Sequence, residues 1–203
     1  MEACNNQVLL RGTVAGEAAL SHEAHGIPFY RVPLAVPRLS GREDRVNLLC
    51  PHAGPEDPLP PPGAYVEVSG EVRSFNNRSG VGSRLVITVL AREIRPGLGE
   101  PCNRVTLWGA LCKPPVLRRT PLGRDICDLL LAVGRRYRRA DYLPCIAWGG
   151  LALRCARLST GDPLGLEGRL QSRTYQKTVE GVTQERTAFE ISITRVLEED
   201  GAL

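Results

Sequence analysis

The stretch Asn6-Gln7-Val8-Leu9-Leu10-Arg11-Gly12-Thr13 returns 97 residues later as Asn103-Arg104-Val105-Thr106-Leu107-Trp108-Gly109-Ala110. The same offset aligns Leu34-Ala35-Val36 with Leu131-Ala132-Val133, and it grows by one residue in the last third of each copy. A nearly constant offset over most of a hundred residues indicates two copies of one domain. We therefore predict a tandem repeat, in which each half is a control for the interpretation of the other.

The length and charge of the chain agree with this division. The 203 residues allow one large domain or two of about 100, and a copy of that size can bury a modest core unaided. The formal charge of +4 is uneven, because residues 1–102 carry −1 and residues 103–203 carry +5. A basic second half suggests a polyanionic partner, although many basic proteins bind none.

The cysteines and the N-terminus indicate the compartment. The seven cysteines are odd in number, never spaced C-x-x-C, and several lie in apolar strand patterns, which is typical of buried, reduced thiols. The first residues show no signal-peptide pattern, and no window approaches the ~20 apolar residues that span a bilayer. We predict a cytoplasmic protein. The cysteines are Cys4, Cys50, Cys102, Cys112, Cys127, Cys145 and Cys155.

Short apolar runs bounded by Gly, Pro or charged turns predict an all-β fold. Five strands in roughly 95 residues fit a five-stranded Greek-key barrel, so we predict two tandem OB-folds. We expect an N-terminal domain over 1–95, a Pro/Gly-rich linker over 96–102, a C-terminal domain over 103–198 and a tail over 199–203. The predicted strands are Val8–Val14, Phe29–Val36, Val46–Cys50, Tyr65–Val72, Leu85–Ile94, Val105–Leu111, Ile126–Val133, Leu143–Trp148, Leu164–Leu170 and Ala188–Val196.

The two halves differ after their third strand. Residues Gly149–Leu158 predict a short helix in the second half. The corresponding proline-rich stretch Pro51–Pro62 cannot be helical, because proline lacks the N–H donor and clashes with the preceding turn.

Strand alternation separates a core face from an outer face in the second half. On Asp141–Trp148 it directs Leu143, Cys145 and Ala147 inward and leaves two aromatic residues outside. On Leu164–Tyr175 it directs leucines inward and cations outward, while Trp108 is assigned to the core. Aromatic rings interleaved with arginines are what unstructured nucleic acid requires, because bases stack on the rings and guanidinium groups neutralise phosphates.

The candidate nucleic-acid-binding residues lie mainly in the second half. Each has a structural alternative: a lone Trp is more often core, a lone Tyr is usually plain surface, and an arginine-rich turn is often only solvated. The candidates are Tyr137, Tyr142, Trp148, Tyr175, Arg119, Arg135, Arg136, Arg138, Arg169, Gln171 and Arg173, with Arg73 and Phe75 from the first half.

Comparison of the copies favours the binding interpretation. In the first half, Arg45 replaces Tyr142 and Pro51 replaces Trp148, whereas the inward positions stay apolar in both. We therefore predict that the second domain is the main nucleic-acid-binding domain, and that the first is degenerate, with a structural or dimerising role.

The second half resembles the bacterial single-stranded DNA-binding protein (SSB) family. The resemblance covers about residues 103–197 and is specific in order and spacing; it is fainter over 5–95. By motif position, the family's stacking rings would fall on Tyr137, Tyr142, Trp148 and Tyr175. The matching stretches are Asn103–Gly109, Leu117–Gly123, Leu131–Val133, Ile146–Gly149 and Leu166–Arg173.

The resemblance implies single-stranded DNA as partner, a role in replication, recombination or repair, a nucleoid location, and a homodimer that presents four OB-folds. The family's acidic-aromatic tail is missing after Glu198, which counts against recruitment of replication or repair proteins through it. An alternative is a replication-restart or mobile-element accessory factor that uses its barrels for protein contacts. We expect no enzyme, metal or cofactor, because no catalytic or metal-ligand motif occurs.

Overall fold

The computed structural model describes residues 5–52, 54, 58–77, 85–179 and 182–198, with the backbone alone at residues 175, 177, 179, 182 and 184–186. Over this part, the chain has twelve strands, one six-residue α-helix, α1 (Gly150–Cys155), and a single 3₁₀ turn at Arg136–Arg138. The strands are β1 Asn6–Val14, β2 Ala19–Ala24, β3 Ile27–Pro37, β4 Glu43–Pro51, β5 Tyr65–Asn76, β6 Leu85–Pro96, β7 Cys102–Leu111, β8 Val116–Arg119, β9 Asp125–Gly134, β10 Ala140–Trp148, β11 Pro163–Val179 and β12 Val182–Leu197.

Each half closes into a five-stranded barrel. In the first, the strand order β1-β3-β4-β6-β5 returns to β1, and in the second β7-β9-β10-β12-β11 returns to β7. All pairings are antiparallel except β4 with β6 and β10 with β12, the non-sequential closures of a Greek-key barrel. The prediction of two tandem OB-folds is confirmed, and α1 is the short helix expected in the second copy.

Period-two alternation fills each barrel. On β10 the inward Leu143, Cys145 and Ala147 are at most 2% exposed, as the sequence predicts. The equivalent first-barrel positions on β4 are Val46, Leu48 and Cys50, which are equally buried. The two cores are therefore built from the same positions of the repeat.

Two pairs of repeated glycines have the same steric role in each barrel. A Cβ at Gly12 would lie 2.3 Å from the carbonyl oxygen of Ala35, and one at Gly109 would lie 2.3 Å from that of Ala132. Because these glycines have no side chain, the backbone of β1 can contact that of β3, and the backbone of β7 can contact that of β9, where each barrel closes. Gly70 and Gly168 likewise sit beside a β-bulge in both copies.

The two barrels join through antiparallel pairing of β1 with β7, which makes one continuous sheet. Val8 pairs with Val105, its own counterpart in the repeat, so the barrels are related by a pseudo-two-fold axis at that pair. The Asn6 side chain brackets the backbone of Val72, donating to its carbonyl oxygen at 2.8 Å and accepting from its N–H at 2.9 Å. Asn103 does the same at the equivalent position of the second barrel.

The structure also contains strands that the sequence does not predict. Strands β2 and β8 are short edge strands with almost fully exposed side chains, so they lack the apolar alternation that marks a strand. Strands β11 and β12 run on well beyond their predicted ends as a long hairpin. Among the described residues, no helix is long and apolar enough to cross a membrane.

Candidate nucleic-acid interface

The outer face of β10 carries two exposed aromatic rings. Tyr142 is 50% exposed and Trp148 is 40% exposed, and both point away from the barrel, on the side opposite Leu143 and Cys145. The rings are six residues apart along the strand, a span of about 20 Å. Rings at that separation on one face can stack different bases of a single strand.

The turn between β9 and β10 projects a third ring. Gly134 pairs with Ala140, and residues 135–139 form the tip of the predicted hairpin. Tyr137 and Arg138 both have left-handed backbone dihedrals, with φ of 59° and 55°. Tyr137 is 92% exposed, so the tight turn holds its ring in solvent.

Two predicted phosphate-binding arginines are bound by a buried carboxylate instead. Asp141 is fully buried and accepts hydrogen bonds from Arg135, from Arg73 at 3.1 Å and from the backbone N–H of Ser74. Arg73 also bonds Glu71, and burial lowers the pKa of its guanidinium, an effect that Asp141 opposes. Arg73 and Arg135, two of the predicted nucleic-acid-binding residues, are therefore held by Asp141 as a clamp between the barrels.

The same contact brings together candidates from both halves of the chain. The Arg135 guanidinium lies 5.7 Å from the centre of the Phe75 ring, which is 40% exposed. The backbone N–H of Tyr142 donates to Ser74 Oγ at 2.8 Å. We call this contact of β5 with β10 the β5–β10 junction. It places Phe75 and Tyr142 on adjacent strands of different barrels.

A cleft of about 960 Å³ opens at this junction. It is strongly cationic, because five arginines line it against Glu71, with Asp141 beneath. Arg92 and Arg139 are not among the predicted residues. Comparison of the two halves does not indicate Arg92, because the equivalent residue of the second half is Glu190. The lining residues are Asn5, Asn6, Glu71, Arg73, Arg92, Gly134, Arg135, Arg136, Tyr137 and Arg139.

The outward residues of β11 lie elsewhere, at the pseudo-symmetric contact of β11 with β4. There the backbone N–H of Arg45 donates to Ser172 Oγ at 3.3 Å, in the same way that Tyr142 bonds Ser74. Arg173 is exposed at this junction and Arg169 is half-buried. Gln171 is only 8% exposed and donates to Glu190 Oε1 at 2.7 Å, so the expectation of a solvent-facing Gln171 is wrong.

Arg119 lies on edge strand β8, in the sheet that carries Trp148. Its side chain is 70% exposed and pairs with Asp125 at 3.0 Å, a hydrogen bond that raises its pKa. Its neighbour Arg118 pairs with Asp128. Both charges on this strand are therefore compensated within the sheet.

Tyr175 and Trp108 are the remaining aromatic residues for which the sequence makes a prediction. The side chain of Tyr175 lies outside the described residues, although its backbone continues β11 opposite Arg186. The assignment of Trp108 to the core is wrong. Trp108 lies half-buried on the outer face of β7, where its ring covers Gly165, whose added Cβ would lie 2.4 Å from the indole. A glycine opposite a ring is a common cross-strand packing device.

The model of the Single-strand binding protein family matches residues 102–197. The chain carries a domain of the single-strand binding protein family. The resemblance stated from the sequence is confirmed, and the match covers the barrel that holds Tyr142, Trp148 and the arginine-rich turn.

Relatives with similar sequences carry the same description. The chain is 40% identical over 81 residues to "Single-stranded DNA-binding protein 2" of Listeria innocua, covering 36% of this chain and 51% of that protein. It is 41% identical over 81 residues to "Single-stranded DNA-binding protein A" of Bacillus subtilis, covering 36% of this chain and 47% of that one. The chain thus spans about half the length of these curated relatives.

A solved structure extends the likeness to both barrels. The wild-type single-stranded DNA binding protein from Thermus aquaticus matches with a TM-score of 0.75 and 25% sequence identity. The match covers 98% of this chain and 94% of that one, so the tandem arrangement is shared and not only the second barrel.

Proposed function

We propose that this protein binds single-stranded DNA without transforming it, in replication, recombination or repair at the nucleoid. The observation that carries the proposal is the exposure of Tyr142 and Trp148 on one outer face, beside a cationic cleft, in a barrel of the single-strand binding family. All three relatives described above are named for single-stranded DNA binding, so a purely protein-binding role is not favoured.

Binding would combine stacking with charge neutralisation. Each base stacked on an exposed ring contributes about 1–3 kcal/mol, and this contribution tolerates any sequence because every base has a π-face. Phosphates between the stacked bases would face arginines around the cleft, of which Arg139 is exposed and carries no carboxylate partner within the described chain. Arg73 and Arg135 would act indirectly, by holding the two barrels at the spacing that forms the cleft.

The strand would cross from one barrel to the other. The β5–β10 junction sets Phe75 of the first barrel next to Tyr142 of the second, and Tyr137 projects over the same cleft. A strand bound across this junction would contact Tyr142 and Phe75, and its phosphates would lie near the arginines of the adjoining cleft. The two halves would act as one binding surface, with the second barrel contributing most of its rings.

A homodimer with four barrels is part of the proposal. The outer faces of β1 and β7 lie together across the pseudo-two-fold axis and form a shallow groove of about 470 Å³. The lining of the groove is mainly polar and charged and includes Leu9, Arg104 and Glu167. A two-fold dimer axis through the groove would bring Arg104 of one copy toward Glu167 of the other. A sedimentation mass equal to one chain at working concentration would reject the dimer and leave the binding proposal intact.

Alanine substitution on β10 tests the function. Trp148→Ala and Tyr142→Ala should each weaken binding to a labelled oligonucleotide by about 1–3 kcal/mol, because each removes one stacked base. Arg45→Ala is the matched control, since Arg45 occupies the place of Tyr142 in the first barrel and is paired with Glu43. It should have little effect. Unchanged affinity in both aromatic variants would refute the proposed face.

A further inference from the structure

The second barrel carries Trp148 at the end of a cross-strand row on its outer face. Trp148 pairs with Ile126 of β9, and Ile126 pairs with Arg118 of β8. Ile126 is only 2% exposed, so the indole at the end of the row is the surface on which a base could stack.

The equivalent row of the first barrel has its rings on different strands. Pro51 takes the place of Trp148 and pairs with Phe29, which takes the place of Ile126. Phe29 in turn pairs with His22 on β2. Position 51 therefore has no aromatic ring, but the next two strands of the same row carry one each, Phe29 and His22.

These two rings already form a stack. The His22 and Phe29 ring centroids are 4.9 Å apart, and their planes differ by 1°. His22 is exposed and Phe29 is half-buried, so the pair is anchored on the barrel side and open on the solvent side. A nucleobase added to the exposed side would continue a parallel stack that the protein has already begun.

The charge beside the row is also reversed between the barrels. Asp128 lies two residues after Ile126 on the same outer face and pairs with Arg118. The first-barrel counterpart of Asp128 is Arg31, two residues after Phe29, and it is exposed. Within the described part of the chain, Arg31 has no ion-pair partner. An unpaired cation next to a ring stack on one face is the combination that single-stranded nucleic acid requires.

We infer that His22, Phe29 and Arg31 form a second base-stacking site for single-stranded nucleic acid, on the first barrel. The inference rests on the proposed function and extends it. The first barrel, which the sequence presents as degenerate, binds with rings shifted by one and two strands along this row. The pairing of β3 with β4 matches that of β9 with β10, whereas a register shift between Leu20 and His22 moves β2 by one residue relative to β8.

The test compares two oligonucleotides on the full chain. One of about 8 nucleotides fits a single barrel, and one of about 30 nucleotides reaches both, since one such barrel covers roughly 4–16 nucleotides.

His22→Ala combined with Phe29→Leu keeps apolar burial and removes both rings. Anisotropy of the labelled 30-mer should show weakening of about 5- to 150-fold, the loss of one stacked base, while affinity for the 8-mer stays within about twofold. Leu20→Ala, an exposed apolar residue of the same hairpin, is the matched control and should leave both affinities unchanged.

A second variant keeps the test decisive if the double variant folds poorly. Phe29→Trp retains an aromatic ring, and in a Trp148→Phe background its fluorescence should be quenched by the 30-mer. If the 30-mer binds with unchanged affinity to the double variant and does not quench this reporter, the inference is overturned although the proposed function stands. If the unmodified chain binds neither oligonucleotide, the proposed function itself fails.

Discussion

Replacement of Asp141 by Asn should loosen the junction between the barrels. Asp141 is fully buried and bonds two arginines whose side chains are only 13% and 21% exposed. Asn retains the volume but leaves both cations facing a neutral amide. Loss of one partner from a buried ion pair typically destabilises by about 3–5 kcal/mol, and the low exposure of Arg73 and Arg135 supports that range here.

The repeat supplies the control for this prediction. Asp44 is the counterpart of Asp141 and is equally buried, but it bonds one arginine, Arg38, and a more distant Asn103 amide at 3.3 Å. Asp44→Asn should therefore lower the free energy of unfolding by less than Asp141→Asn does, because it removes one buried ion pair and not two. The double variant Asp141→Asn with Arg73→Gln should lose less than the sum of its single losses, because both single changes remove the same Asp141–Arg73 interaction, which can be lost only once.

Urea unfolding followed by circular dichroism and tryptophan fluorescence measures these differences. With a slope of roughly 2 kcal/mol per molar urea, Asp141→Asn should lower the midpoint by about 1.5–2.5 M. A decrease below about 0.5 M, or one no larger than that of Asp44→Asn, would refute the clamp. Additive losses in the double variant would contradict the interaction between Asp141 and Arg73.

Three further predictions concern binding and reactivity. Tyr175→Ala should weaken oligonucleotide affinity by about 1–3 kcal/mol while thermal unfolding is unchanged; equal affinity would remove Tyr175 from the site. Arg139→Ala should reduce the slope of log affinity against log salt by about 0.7, because one phosphate of the single strand is no longer neutralised, and an unchanged slope would contradict a phosphate partner for Arg139. Burial raises the pKa of the Cys155 thiol to about 11 and raises that of Cys145 further, so both should stay protonated at pH 8 and react with a thiol reagent only after unfolding. Rapid labelling of Cys145 or Cys155 in the native protein, located by peptide mapping because Cys102 and Cys112 are only partly buried, would show that this core is open.

The sequence predicts the barrels well because their strands alternate sharply. On β10 the buried Leu143, Cys145 and Ala147 recur at every second position, and the repeat has the same pattern in the first half. The edge strand β8 is not predicted because all its side chains are exposed, so no apolar period distinguishes Val116–Arg119 from a loop. Edge strands are defined by backbone pairing, which leaves little trace in side-chain pattern.

The sequence predicts which side of a strand each candidate side chain lies on, but not which residues it contacts. Alternation correctly puts Tyr142 and Trp148 outside the barrel and Asp141 on the same side as Leu143. It cannot reveal that Asp141 binds two of the candidate arginines. Gln171 is covered for a similar reason, through Glu190 on the neighbouring strand. These interactions depend on strand order, which is non-sequential in both barrels and is not contained in local periodicity.

Strand order also divides the candidates between two places. β10 and β11 are not neighbours, because β12 lies between them in the sheet. Tyr142 of β10 therefore lies near Phe75 at the β5–β10 junction, whereas Arg169 and Arg173 lie at the pseudo-symmetric junction with β4. The inter-barrel pairing through β1 and β7 produces both junctions at once.

Tryptophan fluorescence during titration with oligo-dT is the most direct test that the outer face of β10 binds single strands. The chain has two tryptophans, Trp148 on that face and Trp108 packed over Gly165, so single replacements separate their signals. Saturable quenching should persist in Trp108→Phe and disappear in Trp148→Phe, which still binds because phenylalanine retains a stacking ring. Quenching that survives Trp148→Phe, or binding without any quenching, would contradict the account.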